Sequence, residues 1–366
     1  MSYKQYSSLR KVVYLWIIAS SLTAQDTTAL AFKDGPYIFL NNFTVDACYY
    51  NNGTIDSLAI PIGESITFQG LANDSNFVYN IALDFAPPPE KIDAVNKILV
   101  ISDVHGQLDV FQTLLQSHNI IDNNYNWNWD TGHLVVLGDI FDRGDFVNEV
   151  SYLIYRLEQQ AKTAGGGVHL LLGNHEIMVL QDDIRYVTEK YRIVASAFGI
   201  SVPELYNNNT LIGRWLRSKN TIMQINDFLF VHGGIHPQLM NSFKSINNIN
   251  SITRNNIDTP RDSIRADSLL SFIFRSDGPH WYRGFFEPDS LPEVSEIELD
   301  QMLNYLKVKK IIVGHTTMDS ITTFYDNQVI MVDGGIKYGE KGEALLWEND
   351  KFYRIFNDGS RIFIID

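Results

Sequence analysis

Asp103, His105, Asp139, Asn174, His232 and His315 each follow closely on a short apolar run, and each is of a type that binds metal ions. Carboxylate, imidazole and amide oxygen are borderline-to-hard donors that suit Mn, Fe or Zn, and a lone cysteine, Cys48, excludes sites built on soft thiolates. One His and two Asp can hold a first ion. Asp139 as a bridging carboxylate, with Asn174, His232 and His315, can hold a second. Two cations about 3.5–4 Å apart activate a bound water and clamp the oxygens of an in-line displacement at phosphorus. A neutral Asn among the ligands limits negative charge, which leaves such a pair positive enough to attract phosphate.

Two neighbouring segments add reacting groups. In Gly138-Asp-Ile-Phe-Asp-Arg-Gly144, Asp142 can accept a hydrogen bond and Arg143 offers a planar fork to phosphate oxygens. In Gly173-Asn-His-Glu176, His175 stands beside a metal-binding Asn, placed to protonate a leaving alkoxide or phenoxide while Asp142 orients its ring. General acid assistance of this kind is worth about 10² to 10⁴ in rate.

These residues need a scaffold, and the sequence carries one. Apolar runs at 98–101, 134–137, 168–172, 228–231 and 311–313 have strand length and are bounded by turn signals, as expected of strands buried on both faces. Ligands at their C-terminal ends would converge on one edge of the sheet structure. Phe146, Val150, Leu153, Ile154 and Leu157 predict an amphipathic helix, as do residues 299–306. The C-terminal stretch reads as antiparallel, with residues 321–325 and 329–332 about Asp326-Asn327, and 352–356 and 361–365 about Asn357-Asp358-Gly359. A mixed α/β fold follows, either one mixed sheet or two packed sheets with helices outside.

Residues 33–92 have a different texture, with short strands at 37–40, 59–62 and 66–68 among Asn and Gly, ending at Pro87-Pro88-Pro89. The organisation expected is a leader at 1–24, a β-rich extension at 25–92 and a catalytic domain at 93–366. Lys4, Arg10 and Lys11 precede an apolar run at 12–19 and small residues at 20–24, the pattern of an export signal, so a periplasmic or secreted protein is expected. No later apolar run reaches membrane length, so no stable insertion is expected once the signal is removed. The Asn-rich stretch 247–256 reads as a solvated loop. Cys48 reads as a small buried apolar residue, and the basic cluster Arg214, Arg217 and Lys219 as either a groove lining or a solvated helix face. With 43 acidic against 29 basic residues and a net charge of −14, a nucleic-acid partner is excluded, and any phosphate must be drawn in locally.

Taken in order, DxH at Asp103 to His105, GDxxDRG, GNHE, His232-Gly-Gly and Gly314-His315 resemble the phosphoprotein phosphatase branch of the calcineurin-like metallophosphoesterases. The intervening Gly213-Arg-Trp-Leu-Arg-Ser-Lys219 and Trp281-Tyr-Arg-Gly284 are similar to the Shewanella-like phosphatases, over residues 95 to 340. The resemblance implies a β-sandwich flanked by helices. It implies Asp103, His105 and Asp139 at one metal and Asp139, Asn174, His232 and His315 at the other, with His175 as general acid positioned by Asp142. It further implies Arg143, Arg283 and Asn174 on the substrate side, and a leaning toward phosphotyrosine in a phosphorylated protein or small phosphomonoester. The alternatives are a nucleotide or dinucleoside polyphosphate hydrolase and, in another class, a non-catalytic metal-binding surface protein.

Overall fold

The computed structural model describes residues 31–62, 81–242, 245–286 and 294–366. The leader expected at 1–24 and the strand expected at 66–68 lie outside these residues.

The doubly apolar runs form strands because both of their faces find partners. The first sheet contains β5 (Lys97–Ile101), β6 (His133–Val136) and β7 (Gly167–Leu170), in parallel register. It is extended by β13 (Glu343–Glu348), β14 (Lys351–Phe356) and β15 (Arg361–Ile365), giving the order β15-β14-β13-β5-β6-β7. The second has the order β11-β12-β10-β9-β8-β4. Its centre is β9 (Phe228–Val231) parallel to β10 (Lys310–Val313), with β8 (Ile222–Ile225), β11 (Thr322–Phe324) and β12 (Val329–Met331) alongside. Side chains alternate along each strand, so each sheet has two faces to cover. Ile98, Val100 and Val135 meet Met223, Phe230 and Ile312 of the other sheet, forming the interior of a sandwich. The alternate residues Leu99, Ile101, Leu134 and Val136 pack outward against helices.

Those helices are the crossovers that parallel strands require. Helix α1 (Leu108–Ser117) joins β5 to β6, and α2 (Val147–Ala164) joins β6 to β7, ending on Gly165 in the left-handed conformation. Val150, Leu153, Ile154 and Leu157 of the expected stripe lie on the buried face of α2, whereas Phe146 is its exposed N-cap residue. Helix α10 (Glu296–Leu306) precedes β10, and its start is fixed by a capping box between Ser295 and Glu298. Among the described residues, no helix is long and apolar enough to cross a membrane.

The N-terminal extension does two things. β1 (Lys33–Leu40), β2 (Thr44–Asn51) and β3 (Thr54–Pro61) form a separate antiparallel sheet, while β4 (Lys91–Ile92) adds a short parallel edge to β8. Tyr37, Ile38, Val45 and Tyr50 of the small sheet belong to the same buried cluster as α2. Buried Asp34 pins the contact, 3.1 Å from Lys190 Nζ, accepting from Tyr37 Oη at 2.5 Å and from Asn148 Nδ2 at 3.3 Å.

Three local expectations are corrected. Residues 247–256 are not a loop but most of helix α7 (Ile246–Asn256). Asn250 is fully buried there, accepting from the backbone N–H of Thr221 and Ile222 and returning a bond to the Ile222 carbonyl, so tertiary bonding overrides a poor helix propensity. Cys48 is half-buried, not buried. Lys219 is not on a solvated face: it is 5% exposed, paired to Glu158 Oε1 at 2.5 Å and set over the Trp215 ring.

Candidate active site

The candidate residues sit where the strands end. Asp103 and His105 follow β5, and Asp139, Asp142 and Arg143 follow β6. Asn174 and His175 open helix α3 (Asn174–Leu180) after β7, while His232 and His315 follow β9 and β10. Contributions from both sheets therefore meet at one end of the sandwich. The backbone there is bent hard: Asp103, His105, Asp139, Asp142, Arg143 and His315 all have φ between 46° and 67°, a region costly for side-chain-bearing residues. Such strain persists only where the surroundings over-determine it, as at functional sites. The motif glycines permit the close approach, since a Cβ on Gly173 would lie 2.2 Å from Asp139 Oδ1 and one on Gly138 2.3 Å from the Gly173 nitrogen.

Hydrogen bonding fixes which histidine nitrogens are free. His232 Nδ1 lies 2.7 Å from the Leu137 carbonyl and His105 Nδ1 2.6 Å from the Phe141 carbonyl, so each Nδ1 carries the proton and donates. The opposite nitrogens then face acceptors. His232 Nε2 is 2.9 Å from Asn174 Oδ1, 3.2 Å from His315 Nδ1 and 3.3 Å from Asp139 Oδ2. His105 Nε2 is 3.6 Å from Asp139 Oδ2 and 3.9 Å from Asp103 Oδ1. The second oxygen of Asp103 is held by Ser102 Oγ and by the His315 backbone N–H, at 2.9 Å for the latter.

Electrostatics calls for positive charge at the same points. Burial pushes Asp103 up to about 7, helped by repulsion from Asp333 and Asp139. Burial disfavours a charged His232, yet Asp139 outweighs it and holds that imidazole up to about 9. His105 goes the other way, lowered to about 3 by burial. A proton on His232 Nε2 can satisfy only one of three acceptors, whereas a cation at that point satisfies all of them. Two sets of buried ligand atoms share Asp139, namely His105–Asp139–His175 and Asp139–His232–His315, each within 4.8 Å. The donor set fits metal ions.

Beside this cluster lies a dyad. His175 Nδ1 is 2.6 Å from Asp142 Oδ2, and its Nε2 faces Arg143 Nη2 at 3.4 Å and Asp139 Oδ2 at 3.9 Å. Burial opposes charging His175, but Asp139 and the Asp142 hydrogen bond prevail and raise its pKa. Arg283 sits half-buried near Trp281, whose ring centroid is 5.8 Å from that of His315. That segment approaches because Gly233 and Gly234 have no side chain: the Gly233 N–H donates to the Pro279 carbonyl at 2.8 Å, and a Cβ on Gly233 would meet the Tyr282 nitrogen at 2.8 Å. All the predicted ligands and the dyad are thus brought together. His169, stacked on His133, and His236, packed on Tyr282, belong to other surroundings, while buried His280 lies beneath the Gly233 segment.

Two residues escape sequence reasoning. Glu176 is wholly buried and accepts four backbone bonds: Oε1 from Ile140 and Phe141 at 2.9 and 3.0 Å, Oε2 from Asp139 and Gly173 at 2.9 and 2.7 Å. Its place in GNHE was visible, but three of its four partners are amides 35 to 37 residues upstream. Tyr186 lies 5.1 Å from the His175 ring and carries the Arg143 guanidinium at 4.9 Å, from a stretch with no motif signal.

A family model described as calcineurin-like phosphoesterase matches residues 96–318. Among solved structures, the cold-active protein-tyrosine phosphatase of a psychrophilic Shewanella species is similar, with a TM-score of 0.85 and 39% identity, covering 91% of this chain and 99% of that one. Shewanella-like protein phosphatase 1 of Plasmodium berghei is 29% identical over 66% of this chain and 67% of its own. A symmetrical bis(5'-nucleosyl)-tetraphosphatase of Glaesserella parasuis is 32% identical, but over only 38% of this chain and 45% of its own.

Proposed function

Because this chain belongs to the calcineurin-like phosphoesterase family, we propose that it is a protein phosphatase with a dinuclear metal centre and a preference for phosphotyrosine. The observation that carries the reading is the convergence of His232 Nε2, Asn174 Oδ1, His315 Nδ1 and Asp139 Oδ2, a cluster that one proton on His232 satisfies only in part and a cation would satisfy throughout. Asp103, His105 and Asp139 would hold one ion and Asp139, Asn174, His232 and His315 the other, with Mn, Fe or Zn compatible with these donors. When bound, such a pair supplies Lewis acidity and an activated water for attack at phosphorus.

The chain's own residues supply the rest. The Asp142 carboxylate fixes the His175 ring through Nδ1, leaving Nε2 to hold the proton that the departing oxygen takes as its bond to phosphorus breaks. Arg143, supported on the Tyr186 ring, and Arg283 would present guanidinium groups to the phosphate oxygens. Asn174 would serve both as a metal ligand and on the substrate side. A protein of the same family at 39% identity described as a protein-tyrosine phosphatase supports the substrate leaning.

The nucleotide-directed alternative has support from the tetraphosphatase relative, over a shorter stretch. A non-catalytic metal-binding surface protein would have no use for the His175–Asp142 dyad with Arg143 beside it. Rates on matched phosphotyrosine and phosphoserine peptides, a dinucleoside polyphosphate and a small phosphomonoester, with metal analysis of the same sample, test the proposal. A higher kcat/KM on phosphoserine would overturn the tyrosine preference, and turnover confined to the nucleotide would favour the alternative. Export is proposed from the leader at 1–24, with 25–92 as an extension of the domain at 93–366. N-terminal sequencing of the exported protein checks this, and a mature chain beginning at Met1 contradicts it.

A further inference from the structure

Next to the site lies a cleft of about 460 Å³ of which the hydrolytic machinery uses only Arg283. Its near wall is continuous with the ligand cluster: Met178, one helical turn after Asn174, has its sulfur 3.8 Å from Asn174 Nδ2, and Trp281 stands against His315. The floor is apolar, made by Ile177, Ile264 and Phe274. Around it stand Arg261, Arg265, Arg275 and Arg283, and no carboxylate is among the described residues that line it. This is unusual in a chain of net charge −14.

These arginines are not all committed elsewhere. Arg261 is paired with buried Asp183 at 2.8 Å, which fixes it as part of the wall. Arg265 is paired, among the described residues, with the exposed Asp262 at 3.1 Å, a surface contact of little strength. Arg261 and Arg265 lie on helix α8 (Arg261–Ala266), four residues apart and so on one face. Arg275 is exposed just past helix α9 (Ser268–Phe274).

We propose that this cleft binds the residues flanking the phosphorylated side chain of a protein substrate and selects acidic ones. The inference rests on the phosphatase reading and adds to it the substrate class. Charge complementarity identifies the occupant: guanidinium groups spaced around an apolar floor suit an extended peptide, in which successive side chains point to opposite sides, so that acidic ones reach the rim while apolar ones cover the floor. Arg283 belongs to the phosphate end of this surface, and Arg265 and Arg275 to the flanking end.

The test compares the metal-loaded full chain with Arg265→Glu and Arg275→Glu variants. Substrates are phosphotyrosine peptides with Glu or Gln flanks, p-nitrophenyl phosphate and diadenosine tetraphosphate. Wild type should favour the Glu peptide by about tenfold in kcat/KM at low salt, mainly through KM, as two partly screened charge pairs allow. The preference should shrink at high salt and vanish in the variants, with p-nitrophenyl phosphate turnover within about twofold of wild type. Equal rates on both peptides, or a preference that survives charge reversal, would overturn the assignment. A tetraphosphate activity lost in the same variants would overturn it in favour of a polyphosphate occupant. Absence of turnover on p-nitrophenyl phosphate by wild type would instead remove the phosphatase reading itself, and this inference with it.

Discussion

Replacing Glu176 by Gln changes one atom and almost no volume, yet it should be among the most damaging substitutions near the site. Each carboxylate oxygen accepts two backbone N–H groups, at 2.7 to 3.0 Å, in a fully buried position. Whichever oxygen becomes the amide nitrogen, two charge-assisted bonds are lost and two buried N–H donors are left facing another donor. At about 1–3 kcal/mol for each unsatisfied buried donor, the cost is roughly 2–6 kcal/mol, a large part of a typical stability of about 5–15 kcal/mol. The released amides are those of Asp139 and Gly173 if Oε2 is replaced and those of Ile140 and Phe141 if Oε1 is, so in either case the turn that carries the shared ligand loses part of its anchor. A displacement of about 1 Å in a reacting constellation can cost 10²-fold in rate. Thermal unfolding, metal content and kcat on a small phosphomonoester should therefore fall in the same variant. Wild-type melting temperature and wild-type kcat in Glu176→Gln would refute the claim that this carboxylate holds the turn.

Other substitutions separate the roles at the site. His175→Ala should keep its metal and lose about 10² to 10⁴ in kcat, more for phosphoserine than for p-nitrophenyl phosphate, since the better leaving group needs less help; unchanged turnover would remove His175 from the mechanism. Asp142→Asn removes a charge that raises the His175 pKa, so the acid form is lost at lower pH and the alkaline limb of the kcat profile should move to the acid side; an unmoved limb counts against the dyad. Asp34→Asn should destabilise by about 2–4 kcal/mol in urea unfolding, because Lys190 loses its nearest buried partner where the small sheet docks; a change under about 0.5 kcal/mol would show that the pairing holds nothing.

What could be read in advance was what local chemistry announces. Strands β5, β6, β7, β9 and β10 are largely apolar, and a side chain able to bind metal follows the end of each within four residues, so ligand and scaffold were visible in the same few letters. Residues acting at a distance left no such mark. Glu176 works through amides far upstream in the chain, and Tyr186 through a ring contact that only the folded loop creates. Strand β2 was missed because its buried positions, Val45, Ala47 and Tyr50, are interrupted by Asp46 and Tyr49. Helix α7 was misread because composition argues for a loop, while the decisive bonds of Asn250 run to β8 and the residue before it. In the same way, the buried pairing of Lys219 with Glu158 depends on α2 lying alongside, which no local pattern encodes.

The most direct test is to measure metal stoichiometry and activity in one sample, before chelation, after exhaustive chelation and after metal is restored. Clustered acceptor atoms sharing Asp139 predict about two ions per chain, turnover that disappears with them, and recovery when they return. Full turnover by protein stripped of metal would contradict the account at its root.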